Sequence, residues 1–181
     1  KNILFPKSQL ETWSSSETTL PKNISKAEFD KNPVLHRFDH QLKNSGLKTF
    51  NTLKPNFNWA CTDIDNIKKK YELKDYILLF PFCSSHLEIK RWPHYNKLIQ
   101  MIRDRYNNKY KIVIAPGPSE IDQAKDIYAT SIMDGEKVLD IFQLSSLIKD
   151  SVFVIANDTG PAHMAAHLGV RGLTLFGKHT T

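Results

Sequence analysis

From Tyr76 onward, short apolar runs alternate with amphipathic stretches, and this alternation constrains the fold more than any other feature of the chain. The runs are "YILLF" (76–80), "KIVIAP" (111–116), "KVLDI" (137–141), "VFVIAN" (152–157) and "LTLFG" (173–177). Between them lie "WPHYNKLIQMIRDRYNN", "SEIDQAKDIYAT", "FQLSSLIKDS" and "PAHMAAHLG". The first of these puts Tyr95, Leu98, Ile99, Ile102 and Tyr106 on one helical face behind Pro93, and Ser119 is placed to cap the second. Apolar runs of this length, alternating with helices, predict a parallel α/β sheet buried on both faces. With right-handed crossovers, such a sheet is doubly wound and Rossmann-like.

Residues 1–73 have a different texture. They are polar and poor in strand signals. Residues 13–33 read as loop with one short helix. "NPVLHRFDHQLKNSGLK" predicts a better one: Asn32 is the expected cap, Leu35, Phe38 and Leu42 share a face, and Gly46 ends it. The stretch from Lys48 to Asp75 reads as a connector with one short helix near Ile64–Tyr71.

In a doubly wound sheet, ligands bind beyond the carboxyl ends of the strands. There is no GxGxxG and no GxxxxGK[ST], so the dinucleotide and P-loop fingerprints are absent. The strand "VFVIAN" runs into "DTGPAH", at the mouth of a helix. Free N–H groups there attract anions, Gly160 permits close approach, and Thr159 adds a hydroxyl. His163 lies one turn on and can donate to a phosphate oxygen. Asp158 is less at home beside a diphosphate, and is read as an acceptor for sugar hydroxyls or as the helix cap. After the first strand, "PFCSSHLEIKRWP" offers the hydroxyls of Ser84 and Ser85 and the cations Lys90 and Arg91, whose bland alternative is a solvated loop. Trp92 is read as core. Glu120, in "PGPSE", is read as a ribose acceptor or as a charge near a helix dipole.

The net charge of +6 and pI near 9.2 favour anionic partners, but no basic run is interleaved with aromatics, so nucleic acid is not expected. Cys61 and Cys83 have neither zinc-ligand nor disulfide-framework spacing; Cys83 reads as a free buried thiol, and both fit the cytosol. No apolar run approaches the ~20 residues of a membrane span. The chain opens at "KNILFPKSQLE" without methionine and is expected to be a piece of a longer protein.

"NDTGPAHMAAHLGVRGLTLFG" resembles the signature of glycosyltransferase family 9, the ADP-heptose:lipopolysaccharide heptosyltransferases, in which D-[ST]-G-x-x-H opens a helix and a strand ending Phe-Gly comes after it. "PFCSSHLEIKRWP" is similar to the family's Lys-x-Trp-Pro element, and "PGPSE" to its Gly-x-x-x-Glu-type turn. "HRFDHQLKNSGL" resembles the helix that closes the N-terminal domain. Arg171 stands where the family usually has Pro, and "KHTT" replaces its Thr-x-Pro. The resemblance implies the C-terminal, donor-binding domain of a GT-B fold over 74–181, truncated at its C-terminus, preceded over 1–73 by a remnant of the acceptor domain and linker. It assigns Ser84, Ser85, Lys90, Thr159, Gly160 and His163 to the diphosphate, Glu120 to the ribose and Asp158 to the sugar side.

The implied reaction is inverting transfer of a heptose or related sugar from an ADP-sugar to a lipopolysaccharide-core acceptor, with no cofactor and no metal. The implied enzyme is cytoplasmic and meets the inner membrane peripherally. The catalytic base is expected in the missing N-terminal domain, so that this chain binds ADP weakly and transfers nothing alone. The rivals are a UDP-sugar transferase or epimerase of the same fold, and a non-catalytic nucleotide-binding module.

Overall fold

The computed structural model describes residues 23–44, 46–50 and 52–177. Expectations for 13–22 and for "KHTT" lie outside the described residues. The chain divides into two units after Pro55. The boundary expected at 73/74 thus falls inside the second unit, because Ala60, Ile64, Ile67 and Leu73 are buried there. Ile64, Ile67 and Leu73 belong to a core that also holds sheet residues.

In the first unit, α1 (Lys26–Phe29) is capped by Ser25, whose hydroxyl accepts from Glu28 N. Asn32, the expected cap of the next helix, donates its side-chain amide N–H back to Phe29 O at 3.1 Å. Helix α2 (Val34–Asn44) ends as its glycine predicts: Gly46 has φ +78°, Gly46 N bonds Lys43 O, and Leu47 N bonds Leu42 O. Phe38 remains exposed, so the apolar stripe is incompletely covered. Asp39 accepts from Lys43 (2.6 Å) and from the Thr52 hydroxyl, which ties the following loop to the helix.

The second unit contains α3 (Asp65–Lys70), β1 (Tyr76–Phe80), α4 (Tyr95–Tyr106), β2 (Lys111–Ile114), α5 (Ile121–Ala124), β3 (Thr130–Ser131), α6 (Ile141–Lys149), β4 (Phe153–Asn157), α7 (Gly160–His167) and β5 (Gly172–Leu175). The sheet is parallel with order β3-β2-β1-β4-β5. Every residue of β1 is buried, and its side chains alternate between two cores. Tyr76, Leu78 and Phe80 join Ile67, Leu147 and Ala165 on the side of α3, α6 and α7. Ile77 and Leu79 join Tyr95, Ile99 and Ala124 on the side of α4 and α5. Helices therefore cover both faces, as the doubly wound expectation requires. Tyr76 also donates its hydroxyl to Leu147 O (2.6 Å), and burial pushes that phenol well above its ordinary range.

Two local expectations are corrected. "KVLDI" is not a strand: Lys137 makes an isolated antiparallel bridge to Asp134, and Asp140 opens α6 with a capping box completed by Gln143. The third strand is instead Thr130–Ser131, paired with Val113 and Ile114, where the sequence pattern predicts the end of a helix. Helix α5 is correspondingly only four residues long, and its N-cap is Glu120 rather than Ser119.

Candidate functional site

The strand order reverses between β1 and β4, so the chain leaves in opposite directions from two adjacent carboxyl ends and opens a crevice there. Asn157, the last residue of β4, braces this crevice from below and is fully buried. Its Oδ1 accepts from Trp92 N and lies 3.3 Å from the Tyr95 hydroxyl, and its Nδ2 donates to Pro81 O (3.0 Å). One amide thus fixes both ends of the 81–92 loop against β4. Within that loop, residues 85–90 form a 3₁₀ segment with a kink at Leu87. Trp92 packs edge-on against His94 and Tyr95, as a core residue.

Two adjoining cavities occupy the crevice. The larger, of about 360 Å³, lies between the turns after β1, β2 and β4 and an apolar wall of Val138, Leu139, Ile141 and Leu144. The smaller, of about 230 Å³, is lined by Leu87, Lys90, Asp158 and His163. Cys83, Ser84, Thr159 and Gly160 line both. Glu120 lines the larger one, its carboxylate accepting from Gly117 N at 2.8 Å.

The N-terminus of α7 is shared by the two cavities. Thr159 is its N-cap, yet no side chain caps it: the Thr159 hydroxyl donates to Asn157 O instead. Pro161 has no N–H and Ala162 N bonds Thr159 O at 3.0 Å, so the Gly160 N–H is the first-turn donor left without an intrahelical acceptor, with the positive end of the helix dipole behind it. A Cβ built on Gly160 would meet nothing within 4 Å, so the surface there is open. Asp158 does not cap the helix. Its carboxylate holds Lys90 at 2.8 Å, Lys90 also donates to Asp158 O at 3.1 Å, and His163 Nε2 lies 3.6 Å from the other carboxylate oxygen.

The structure therefore gathers Ser84, Lys90, Glu120, Asp158, Thr159, Gly160 and His163 along one crevice. Ser85 is left out, exposed at the start of the 3₁₀ segment and lining neither cavity. Arg91 is turned away as well, donating to Gln123 and lying over the Phe82 ring. Sequence reasoning missed Asn157, although an amide closing an otherwise apolar strand was a visible signal. It also missed the apolar wall, because the apolar residues of "KVLDI" read as a strand. Cys83 is a free thiol facing the crevice, bonded to Leu87 O, and burial raises its pKa. Among the described residues no group of three His, Cys, Asp or Glu side chains is arranged to hold a metal ion, and no helix is long and apolar enough to cross a membrane.

A parallel α/β unit with order 3-2-1-4-5, a crevice where the strand order reverses and an apolar slot beside it defines a doubly wound, Rossmann-like class of domain. The model of glycosyltransferase family 9 (heptosyltransferase) matches residues 22–181, and the chain belongs to that family. Three solved structures share the fold. The family 9 glycosyltransferase of Veillonella parvula has a TM-score of 0.61 at 19% identity, over 85% of this chain and 46% of its own. E. coli heptosyltransferase WaaC with ADP-2-deoxy-2-fluoro heptose has a TM-score of 0.57 at 18% identity, over 82% of this chain and 46% of its own. E. coli ADP-heptose lps heptosyltransferase II has a TM-score of 0.54 at 19% identity, over 78% and 46%. The chain thus spans less than half the length of these relatives. No curated protein matches it.

Proposed function

We propose that this chain is the donor-binding part of an inverting glycosyltransferase that moves a heptose or related sugar from an ADP-sugar to a lipid-linked lipopolysaccharide-core acceptor. The observation that carries this reading is the pair of cavities meeting at Gly160, one with an apolar wall and one with a cation. The apolar wall of Val138, Leu139, Ile141 and Leu144 receives the base, and Glu120, oriented by Gly117 N, accepts from the ribose hydroxyls. The diphosphate lies across Ser84, Thr159 and Gly160, within reach of Lys90 and His163.

When the glycosidic bond breaks, negative charge builds on the leaving ADP. The α7 N-terminus and Lys90 are already oriented toward it, so stabilisation costs little reorganisation. On this reading no metal or other cofactor is needed at the diphosphate. WaaC has been solved with ADP and with an ADP-sugar analogue, which supports an ADP-type donor here. The base that takes the acceptor's proton, and the acceptor site itself, come from outside these residues. We place the enzyme in the cytoplasm, its +6 charge drawing it peripherally to an anionic inner membrane.

Calorimetry with ADP and UDP tests the donor class, and ADP is expected to bind at least about tenfold tighter, ~1.4 kcal/mol. Equal affinity returns the site to a UDP-sugar enzyme. In the same experiment Lys90→Ala is expected to weaken ADP by about 1.5–3 kcal/mol, the scale of a hydrogen bond to a charged group. Unchanged affinity removes Lys90 from the site.

A further inference from the structure

We infer that Asp158 sets the charge the diphosphate pocket accepts: it partly neutralises Lys90 and so favours a sugar-linked diphosphate over the free nucleoside diphosphate that transfer leaves behind. The inference rests on the ADP-sugar reading of the site. It starts from an arrangement the sequence did not reveal. Lys90 spends two of its N–H donors on Asp158, one on the carboxylate at 2.8 Å and one on the main-chain oxygen at 3.1 Å. Both side chains are largely buried, 20% and 13% exposed, so solvent screens their charges weakly. His163 faces the other oxygen of the same carboxylate at 3.6 Å. All three residues line the smaller cavity together with Gly160.

A carboxylate in a pocket built for phosphate is a cost unless it does something. Any phosphate oxygen held by Lys90 has the Asp158 carboxylate as its neighbour across one ammonium group. In a nucleotide-sugar the terminal phosphate is a diester with a single charge. In the free nucleoside diphosphate that phosphate ionises again near pH 6, so at about pH 8 it has one more negative charge. The carboxylate repels the second charge as it does the first, and the penalty therefore falls harder on the product. The product is released and the donor retained by the same fixed charge. The effect needs no movement of the protein.

The test compares ADP with its terminal methyl ester, which has the charge of a nucleotide-sugar but no sugar. Dissociation constants are measured at about pH 8, where the second ionisation is complete, by calorimetry for the 181-residue chain, Asp158→Asn and Lys90→Ala. Asp158→Asn is expected to tighten ADP and to raise the ADP-to-ester affinity ratio roughly fivefold or more, as removal of a unit charge across one ammonium group requires at a partly screened site. If Asp158→Asn does not fold, judged by circular dichroism, Asp158→Ser is read in its place with the same expectation. An unchanged ratio, with Lys90→Ala still weakening both ligands, overturns the inference and leaves the donor reading standing. Weaker binding of both ligands to the Asp158 variant also overturns it, since Asp158 then only holds the site in shape. If Lys90→Ala alters neither ligand, the diphosphate reading fails and this inference with it.

Discussion

Gly160 separates a structural requirement from a functional one. Its φ is not in the left-handed region, and a side chain there would meet nothing within 4 Å, so the fold does not demand glycine. Open space at the mouth of a helix is where an anion approaches the N–H groups. Gly160→Val is therefore expected to leave the melting temperature near wild type and to weaken ADP by at least about 1.5 kcal/mol, the loss of one charge-assisted contact. Calorimetry and thermal unfolding on the same preparation decide it, and a joint fall would make the residue structural. The glycine was legible in the sequence because its neighbours lie on one short turn. The Lys90–Asp158 pair was not, because 68 residues separate the partners and only the β1/β4 crossover brings them together. Asp158 had two readings, cap and sugar ligand, and an ion pair was neither.

Among the elements, the strands that could be read were those with continuous apolar runs, β1, β2, β4 and β5. Strand β3 could not, since two residues give no period to detect, and Thr130–Ser131 is defined only by its partners in β2. "KVLDI" misled for the opposite reason: its apolar residues face a crevice instead of a sheet neighbour, and the Asp140–Gln143 capping box was the stronger signal. The edge pairing of β5 gives a test. A Cβ on Gly172 would lie 2.8 Å from Val154 O, a backbone atom of its pairing partner. Gly172→Ala is expected to push β5 off β4 and cost about 1–3 kcal/mol by urea unfolding, as overpacking does. A cost near zero would show that β5 shifts freely. In α2, the hydrogen bonds from Lys43 and Thr52 hold the Asp39 carboxyl down to about 2. A depressed carboxyl stabilises above its unfolded pKa of about 3.9 and loses that contribution as pH falls through the folded value. The Asp39 carboxyl followed by NMR should titrate at about 2, and in Thr52→Val it should titrate higher. An unshifted titration in that variant would free Asp39 from the loop.

At the scale of the whole molecule, alternation of apolar runs and helices was enough to give a parallel sheet covered on both faces, because every crossover must bury both sides of it. The division after Pro55 was less visible. Residues 56–73 look like a polar connector, yet a few apolar residues spaced along them, Ala60, Ile64, Ile67 and Leu73, suffice to seat the segment in the core. Thr62 and Ser146 add a reciprocal pair of hydrogen bonds, Thr62 N to the Ser146 hydroxyl at 2.7 Å and that hydroxyl to Thr62 O at 2.6 Å. All residues that line the two cavities of the crevice also lie beyond Pro55. A chain beginning at Asn56 is thus expected to fold cooperatively and to bind ADP within about twofold of the 181-residue chain, ~0.4 kcal/mol. A chain beginning at Lys74 removes Ile64, Ile67 and Leu73 from the core and is expected to lose several kcal/mol, at about 1.5–3 kcal/mol for each large apolar side chain. Circular dichroism melts and ADP calorimetry on both truncations are the measurement. If the Asn56 chain folds without binding ADP, residues before it contribute to the site; if the Lys74 chain is as stable as the longer one, the connector is only a connector.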